Sequence, residues 1–434
     1  MSSSLIEKLF AAGGSVTGKA FRVMAGLRSR DSAVQPLETN NYGSLNVGFG
    51  DFTGTKDVFS RLRVTEPFGL FDAKQLFDKQ PLVYVEDVQN GGSSTHLPNE
   101  SSTRMDVTTT TNSRVIRQSR AYIPYQPGRS QYAILTGVIG AAVANLRRRM
   151  GYFDANNGVY LEQNGTTDVA FTLRSFVTGV VDNSKRITQA NWNIDPLDGS
   201  GPSGKTLDLT KFIVMFTEFG WLGGAGVKVG LFIEGQPIYV HEFDLEANTT
   251  VFLSTPSLPV RWEIENLAAA SGSMKHTCAV VFSEGGFDPQ GAVTSEPTTS
   301  AITVGTTETA LIAVRLRSAY ARGTLIPLSA SGQVTSIDEV IFRVRIRSTI
   351  TGGTWVTSDT GQSEFQLNPA FSGGIKIATF FANDNGGSID APMLENALRV
   401  AANFAGTADT LVLTAQNDSA TANVLGQLTW KEVL

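Results

Sequence analysis

Ser113-Arg114-Val115-Ile116-Arg117-Gln118-Ser119-Arg120-Ala121-Tyr122-Ile123-Pro124-Tyr125 is the stretch that sets the fold class. In an extended chain Val115, Arg117, Ser119, Ala121 and Ile123 fall on one face, and Arg114, Ile116, Gln118, Arg120 and Tyr122 on the other. A period of two is the signature of a half-buried strand, and here both faces carry apolar residues. The same alternation predicts strands at 132–139, 148–153, 159–163, 169–174, 212–219, 227–233, 238–243 and 278–283. Between them stand Asn156-Asn157-Gly158, Asn164-Gly165, Gly223-Gly224 and Glu234-Gly235, residue types that tolerate the positive φ of tight hairpins. Strand, tight turn, strand is the expected rhythm from about residue 83 to residue 286.

Composition agrees with many short strands. Of 434 residues 41% are apolar and only 17% charged, and 43 are glycine. That length allows two or three domains and a large core. The single cysteine, Cys278, excludes an intrachain disulfide, and three histidines (His96, His241, His276) leave little for a metal site. A net charge of −5 argues against broad nucleic-acid binding, which draws on a basic surface. No uncharged run approaches the roughly 18 residues that span a bilayer, so no membrane partner is expected.

Residues 1–55 differ from the rest. Leu5, Leu9, Phe10, Phe21 and Leu27 are interspersed with Lys8, Lys19, Arg22, Arg28 and Arg30, interrupted at Gly13-Gly14 and ended by Pro36 and Asn40-Asn41. This reads either as a disordered tail or as a docking arm whose short helices need a partner surface. Residues 56–290 form the large β domain, and 291–307, rich in Ser, Thr, Pro and Gly, read as a linker. Residues 308–434 resume with strands at 310–317, 339–347, 375–382, 410–414 and 424–430 and one possible helix at 391–402, a size that suits a small β-sandwich. The expected fold is therefore all-β: a large antiparallel sandwich, a smaller jelly-roll-like sandwich and an N-terminal arm.

Several motifs invite chemistry. Gly199-Ser200-Gly201-Pro202-Ser203-Gly204-Lys205-Thr206 satisfies the phosphate-loop pattern, with Gly199, Gly204, Lys205 and Thr206 at its defining positions. The chemistry also needs a buried strand before the loop and a helix after it, whose N-terminal amides hold the phosphates. Here Trp192-Asn193-Ile194-Asp195-Pro196 precedes the motif and a strand-like run follows, so it reads as a decoy and no cofactor is expected. His276 and Cys278, two apart, share a strand face in regular geometry, but the run Cys278-Ala279-Val280-Val281-Phe282 reads as a core strand in which the unpaired cysteine acts as a small hydrophobe. Asp195, Asp198 and Asp208 lie in a glycine-proline loop, where aspartate supports turns. No catalytic or metal residues are assigned.

The arginines are more informative. The chain has 23 Arg against 12 Lys, with Arg147 to Arg149 contiguous and Arg343, Arg345 and Arg347 on one expected strand face. Arginine in a chain of low charge suits interfaces, because its planar donors pair bidentately. Leu5, Leu9, Phe10, Phe21 and Leu27 in the arm, with Arg343, Arg345 and Arg347, are the candidate contact residues. Trp192, Trp221, Trp262, Trp355 and Trp430 on a β scaffold raise glycan binding as an alternative.

Two stretches resemble a family of virion structural proteins of tailed double-stranded DNA bacteriophages, especially those of aquatic bacteria. The first runs Phe59-Ser60-Arg61-Leu62-Arg63-Val64-Thr65-Glu66-Pro67-Phe68-Gly69-Leu70-Phe71-Asp72-Ala73-Lys74-Gln75-Leu76-Phe77-Asp78-Lys79-Gln80-Pro81-Leu82, then Tyr125-Gln126-Pro127-Gly128-Arg129-Ser130, Met150-Gly151-Tyr152-Phe153-Asp154 and Leu197-Asp198-Gly199-Ser200-Gly201-Pro202-Ser203-Gly204. The second spans Val314-Arg315-Leu316-Arg317, Leu325-Ile326-Pro327-Leu328 and Leu428-Thr429-Trp430-Lys431-Glu432. The resemblance implies a non-enzymatic virion component, assembled in the bacterial host cytoplasm beside other phage virion proteins. A tail, baseplate or head-tail adaptor forming a symmetric homo-oligomer, trimer or hexamer, is the expectation. A capsid decoration protein and a host-glycan receptor-recognition protein are the alternatives.

Overall fold

The computed structural model describes residues 56–433 apart from 223, 246–248, 289, 337–338, 391–393, 395–398 and 419–420, together with two short strands nearer the N-terminus. Those two, β1 (Ala25–Leu27) and β2 (Val34–Pro36), pair antiparallel in a unit that ends at Thr55. Leu5, Leu9, Phe10 and Phe21 lie outside the described residues, and of Leu27 only the backbone pairing with Val34 is described. Most of the expected helix at 391–402 is also outside them; its end instead supplies isolated bridges, Leu325 with Val400 and Ala402 with Ala408.

The unit from Lys56 to Leu434 is all-β, with every pairing antiparallel. Among the described residues, its named helices are three 3₁₀ turns of three residues each. The larger sandwich faces a seven-stranded sheet against an eight-stranded one. The first has the order β12 (Asp182–Thr188), β11 (Asp168–Ser175), β10 (Gly158–Asn164), β9 (Leu146–Phe153), β16 (Val260–Asn266), β7 (Arg114–Ser119), β4 (Tyr84–Gln89). The second runs β15 (Gln236–Phe243), β14 (Gly226–Ile233), β13 (Ile213–Gly220), β8 (Ser130–Val138), β17 (Gly272–Glu284), β6 (Ser102–Val107), β5 (Ser93–Leu97), and β3 (Pro67–Lys74) adds to the far half of β17. Met150, Tyr152, Leu161, Phe171, Trp262 and Ile264 from the first sheet meet Met105, Leu135, Met215, Phe219 and Val229 from the second in one apolar core.

Local chemistry closes the hairpins where the turn residues predict. Between β9 and β10, Asp154 Oδ1 accepts the Asn156 and Asn157 amides, both at 2.7 Å, and Gly158 takes φ 122°. Opposite Tyr160, Gly151 lets the strands approach: a Cβ there would stand 2.2 Å from the Val159 carbonyl oxygen and 2.6 Å from Tyr160 Cα. Backbone cannot yield as a side chain can, so Gly151→Ala is expected to cost about 1–3 kcal/mol by overpacking. Urea unfolding checks this, and an unchanged midpoint would mean that the two strands separate freely.

The smaller sandwich is built from β18 (Ala292–Pro297), β30 (Ala422–Val433), β21 (Thr324–Val334) and β28 (Gly387–Ile389), with β19 (Ile302–Val304) also on β30. Its second sheet has the order β24 (Val356–Thr357), β25 (Ser363–Leu367), β20 (Thr309–Leu316), β29 (Leu411–Gln416), β22 (Val340–Ile346), β27 (Ile375–Ala382), and β23 (Thr349–Thr351) pairs with β26 (Ala370–Ser372) nearby. Leu311, Val314, Phe342, Val344, Leu413, Leu428 and Trp430 fill its core. The stretch expected as a linker, 291–307, contains β18 and β19, both zipped onto β30. Its Ser/Thr composition reflects edge strands with one wet face, which composition alone does not separate from a linker.

The two sandwiches form one compact unit through charged contacts. Asp409 receives Arg120 at 2.9 Å and Arg347 at 3.3 Å, Arg347 also donates to the Leu82 carbonyl at 2.6 Å, and Arg322 reaches Asp154 at 2.9 Å.

Candidate functional site

The phosphate-loop motif is a turn closed on itself. Asp195 accepts the Leu197 and Ser203 amides at 2.9 and 2.8 Å, Asp198 bridges Thr206, and the Gly199 amide bonds the Lys205 carbonyl at 3.0 Å. Lys205 Nζ lies 2.8 Å from Glu234, and the chain continues into β13 without a helix. Amides that a phosphate would need are spent on the loop's own carboxylates and carbonyls, and Asp198 and Asp208 are exposed turn residues. His276 and Cys278 part company: β17 bulges between His276 and Ala279, so His276 is fully buried while Cys278 is exposed. The register shift, absent from a regular strand, breaks the shared face that their spacing predicts and turns Cys278, expected in the core, to solvent. Burial brings His241 down to about 4, and its Nδ1 accepts the Asn193 amide at 3.2 Å, so it serves the backbone as a neutral ring.

The arginines are placed with more purpose. Arg147 to Arg149 split across β9. Arg148 turns inward to the Ala141 carbonyl at 2.7 Å and Gln163 at 2.6 Å, while Arg147 and Arg149 face outward. Register sets Arg149 between Glu162 of β10 and Glu263 of β16, and all three are buried. Its guanidinium reaches them at 2.6 and 3.0 Å, Arg261 also binds Glu263 at 2.6 Å, and Arg186 binds Glu162 at 2.9 Å. Tyr160, Phe153 and Phe404 lie under or over these guanidiniums. Burial works against the Glu263 carboxylate, yet Arg261 and Arg149 outweigh it and hold its pKa well below the usual range.

A second buried arginine fixes a loop. Arg117 donates from Nε to His276 Nε2 at 2.7 Å and from its terminal nitrogens to the Lys79 carbonyl at 2.6 Å and Gln75 Oε1 at 3.4 Å, and it pairs with Glu86. Thr103 donates to Gln75 Oε1 at 2.7 Å, and the Gln75 carbonyl accepts from His96 at 2.7 Å. Trp262 stacks on His276 with centroids 4.2 Å apart. Burial, then the Arg117 charge, keeps His276 neutral, as its role of acceptor requires. Gln75 and Lys79 are thereby pinned, and between them Leu76, Phe77 and Asp78 stand out, with Phe77 92% exposed.

Of the seventeen large apolar side chains that the described residues leave exposed, six fall between Leu62 and Leu82: Leu62, Val64, Phe68, Leu76, Phe77 and Leu82. At the other end of the β3–β17 pairing from the loop, a pocket of about 390 Å³ is lined by Pro124, Tyr125, Gln126, Pro127, Phe287, Asp288, Gln290 and Val433. Phe68 stacks on Phe287 at its side, centroids 6.1 Å apart. A neighbouring cleft of about 610 Å³ is lined by Arg61, Arg63, Arg129, Asp57 and Glu284 among others, and Arg63 spans Glu218 and Glu284 at its base. The concentration at 62–82 was present in the sequence as apolar residues without a clean period, but their exposure emerges only once β3 is paired.

The expected contact arginines meet partners within the chain. Arg345 holds Glu308 by two bonds at 2.7 and 2.8 Å, Arg343 lies 3.8 Å from the same carboxylate, and Arg347, at φ 59°, leaves the strand for the junction between sandwiches. Trp192, Trp262 and Trp430 are buried; Trp221 and Trp355 are half-buried. Among the described residues no helix is long and apolar enough to cross a membrane.

No family model matches the chain, and no curated protein does. Among solved structures, a protein of unknown function from Shewanella oneidensis MR-1 is similar over 55% of this chain and 94% of its own, at 10% identity and TM-score 0.34. The carbohydrate recognition domain of Emp47p is similar over 50% and 96%, at 11% identity and TM-score 0.31. A carbohydrate esterase of the Shiga toxin-encoding bacteriophage phi24B is similar over 51% and 100%, at 7% identity and TM-score 0.29.

Proposed function

We propose that this chain is a non-enzymatic structural component of a tailed-phage virion, acting as a symmetric homo-oligomer in a tail, baseplate or head-tail adaptor. One observation carries the reading: six of the seventeen large apolar side chains that the described residues leave exposed fall in one short segment, residues 62–82. Exposed apolar side chains concentrated in this way are what assembling proteins bury. That segment is also where the resemblance to virion proteins is densest. Native mass spectrometry of the purified chain, with and without magnesium-ATP, tests it. A trimer or hexamer without nucleotide adduct is expected; a monomer carrying stoichiometric ATP overturns it. Quantifying the chain in purified particles then separates an adaptor from a capsid decoration protein, whose copies follow the capsid lattice.

Host-glycan recognition is the second reading, favoured by Trp355. It lies outside the two main cores with Arg315 4.0 Å from its ring centroid and Glu364 holding Arg315 at 2.7 Å. A glycan array bound by the native chain and not by Trp355→Ala would establish this reading; an array with no binder removes it.

A further inference from the structure

We infer that copies of this chain join head to tail, with Phe77 of one seated in the pocket of Pro124, Tyr125, Pro127, Phe287 and Val433 on the next and Asp78 of the first against Arg129 of the second. The inference rests on the homo-oligomer reading above and names the contact that makes it.

The knob is preorganised. Arg117 and its partners fix Gln75 and Lys79 on either side of Leu76-Phe77-Asp78, so the ring is presented without the ordering cost that a free loop pays on binding. A fully exposed phenylalanine on a fixed loop is a large apolar area held in water, 150–250 Å² for an aromatic side chain by order of magnitude. The hole is equally fixed. Gln131 holds the Pro124 carbonyl at 2.7 Å, the Tyr125 hydroxyl accepts the Trp221 amide at 3.0 Å, and Gln126 accepts the Asp288 amide at 2.9 Å.

Knob and hole cannot meet within one chain. β3 and β17 run antiparallel from Pro67 opposite Glu284 to Lys74 opposite Cys278, so the loop follows one end of the pair and Phe287 the other, roughly 25 Å apart at the rise of a strand. Complementary features at opposite ends of a molecule define a heterologous contact, which closes into a ring when the rotation per copy allows it. Charge agrees with the polarity. Asp78 is exposed beside Phe77, and Arg129, two residues beyond Pro127, lines the adjoining cleft with no carboxylate in ion-pair range among the described residues. Leu76 and Leu82 flank the knob, while Leu62, Val64 and Phe68 belong to the segment that reaches the hole, which supplies the further area that a stable interface requires.

Sedimentation velocity on the full chain and its variants tests the contact. Phe77→Ala is expected to weaken self-association about 30-fold or more, as for an interface hot spot, with the melting temperature unchanged. Asp78→Arg and Arg129→Asp should each weaken it, and the double variant Asp78→Arg/Arg129→Asp should regain most of the loss. An oligomer untouched by Phe77→Ala and by both charge reversals overturns this contact while leaving the homo-oligomer reading in place. A native chain that stays monomeric at high concentration overturns both. Phe77→Leu, which keeps an apolar knob, guards against misreading a folding defect: it should associate more tightly than Phe77→Ala.

Discussion

Glu263→Ala should lower the free energy of unfolding by about 3–5 kcal/mol, the cost of leaving buried charge unpaired. The carboxylate is fully enclosed and receives Arg149 at 3.0 Å and Arg261 at 2.6 Å; without it two guanidiniums remain on a dry sheet face between Tyr160 and Phe153. Most of that cost comes from Arg261, which has no other carboxylate in ion-pair range among the described residues, whereas Arg149 keeps Glu162. Glu263→Ala/Arg261→Met should therefore be less damaging than Glu263→Ala alone, since Arg149 keeps Glu162 at 2.6 Å. The pH dependence has a fixed sign. Because Arg261 and Arg149 depress the folded pKa of Glu263 against the opposing effect of burial, its contribution is complete above the unfolded carboxylate value, about 4.3, and is lost as pH falls below it. The gap between native and variant stability, measured by urea unfolding, should narrow as pH falls from the unfolded value, about 4.3, to the folded one, about 2. A gap below about 1 kcal/mol that does not change with pH would mean that this ladder is solvated and behaves as a surface pair.

Strand content was legible because alternation is local. The predicted strand at 375–382 coincides with β27, and those at 159–163, 169–174 and 227–233 match β10, β11 and β14 to within a residue at each end. What was not legible depends on pairing. Arg149 faces Glu263 across a sequence separation of more than a hundred residues, and only the adjacency of β9 and β16 turns Arg147-Arg148-Arg149 into two outward partners of acids and one inward donor. The His276–Cys278 pair failed for a related reason: Thr136 bonds the Cys278 backbone at 2.9 Å where β17 bulges against β8, a non-local event that reverses the side-chain alternation. The phosphate-loop pattern reads as a decoy on context, and the geometry supplies the mechanism, since Asp195 and Asp198 take amides that such a loop would offer to a phosphate. At 291–307 composition misled, because a strand that pairs on one edge carries the polar residues of a linker.

Arg117→Met is the second substitution with a large expected effect, about 1–3 kcal/mol for each buried acceptor left without its donor, and it connects stability to assembly. Arg117 carries four separate duties: it answers Glu86, donates to His276, and anchors Gln75 and Lys79 on both sides of Phe77. Methionine fills much of the same space but leaves Glu86 to Lys79 and Ser94 alone and leaves His276 Nε2 without its donor under Trp262. The informative companion is Arg117→Lys. A lysine retains the charge opposite Glu86, so part of the stability should return, but a single ammonium cannot reach His276, Gln75 and the Lys79 carbonyl together. The loop at 75–79 should then loosen while the sandwich stays folded: amide hydrogen exchange should accelerate at those residues and not in β9 or β16, and self-association should weaken although Phe77 is intact. That combination would place the energy of contact in the fixed position of the ring as well as in the ring itself. An Arg117→Lys chain that matches the native one in exchange at 75–79 and in sedimentation would show instead that the loop holds its shape through Gln75, Thr103 and His96 alone.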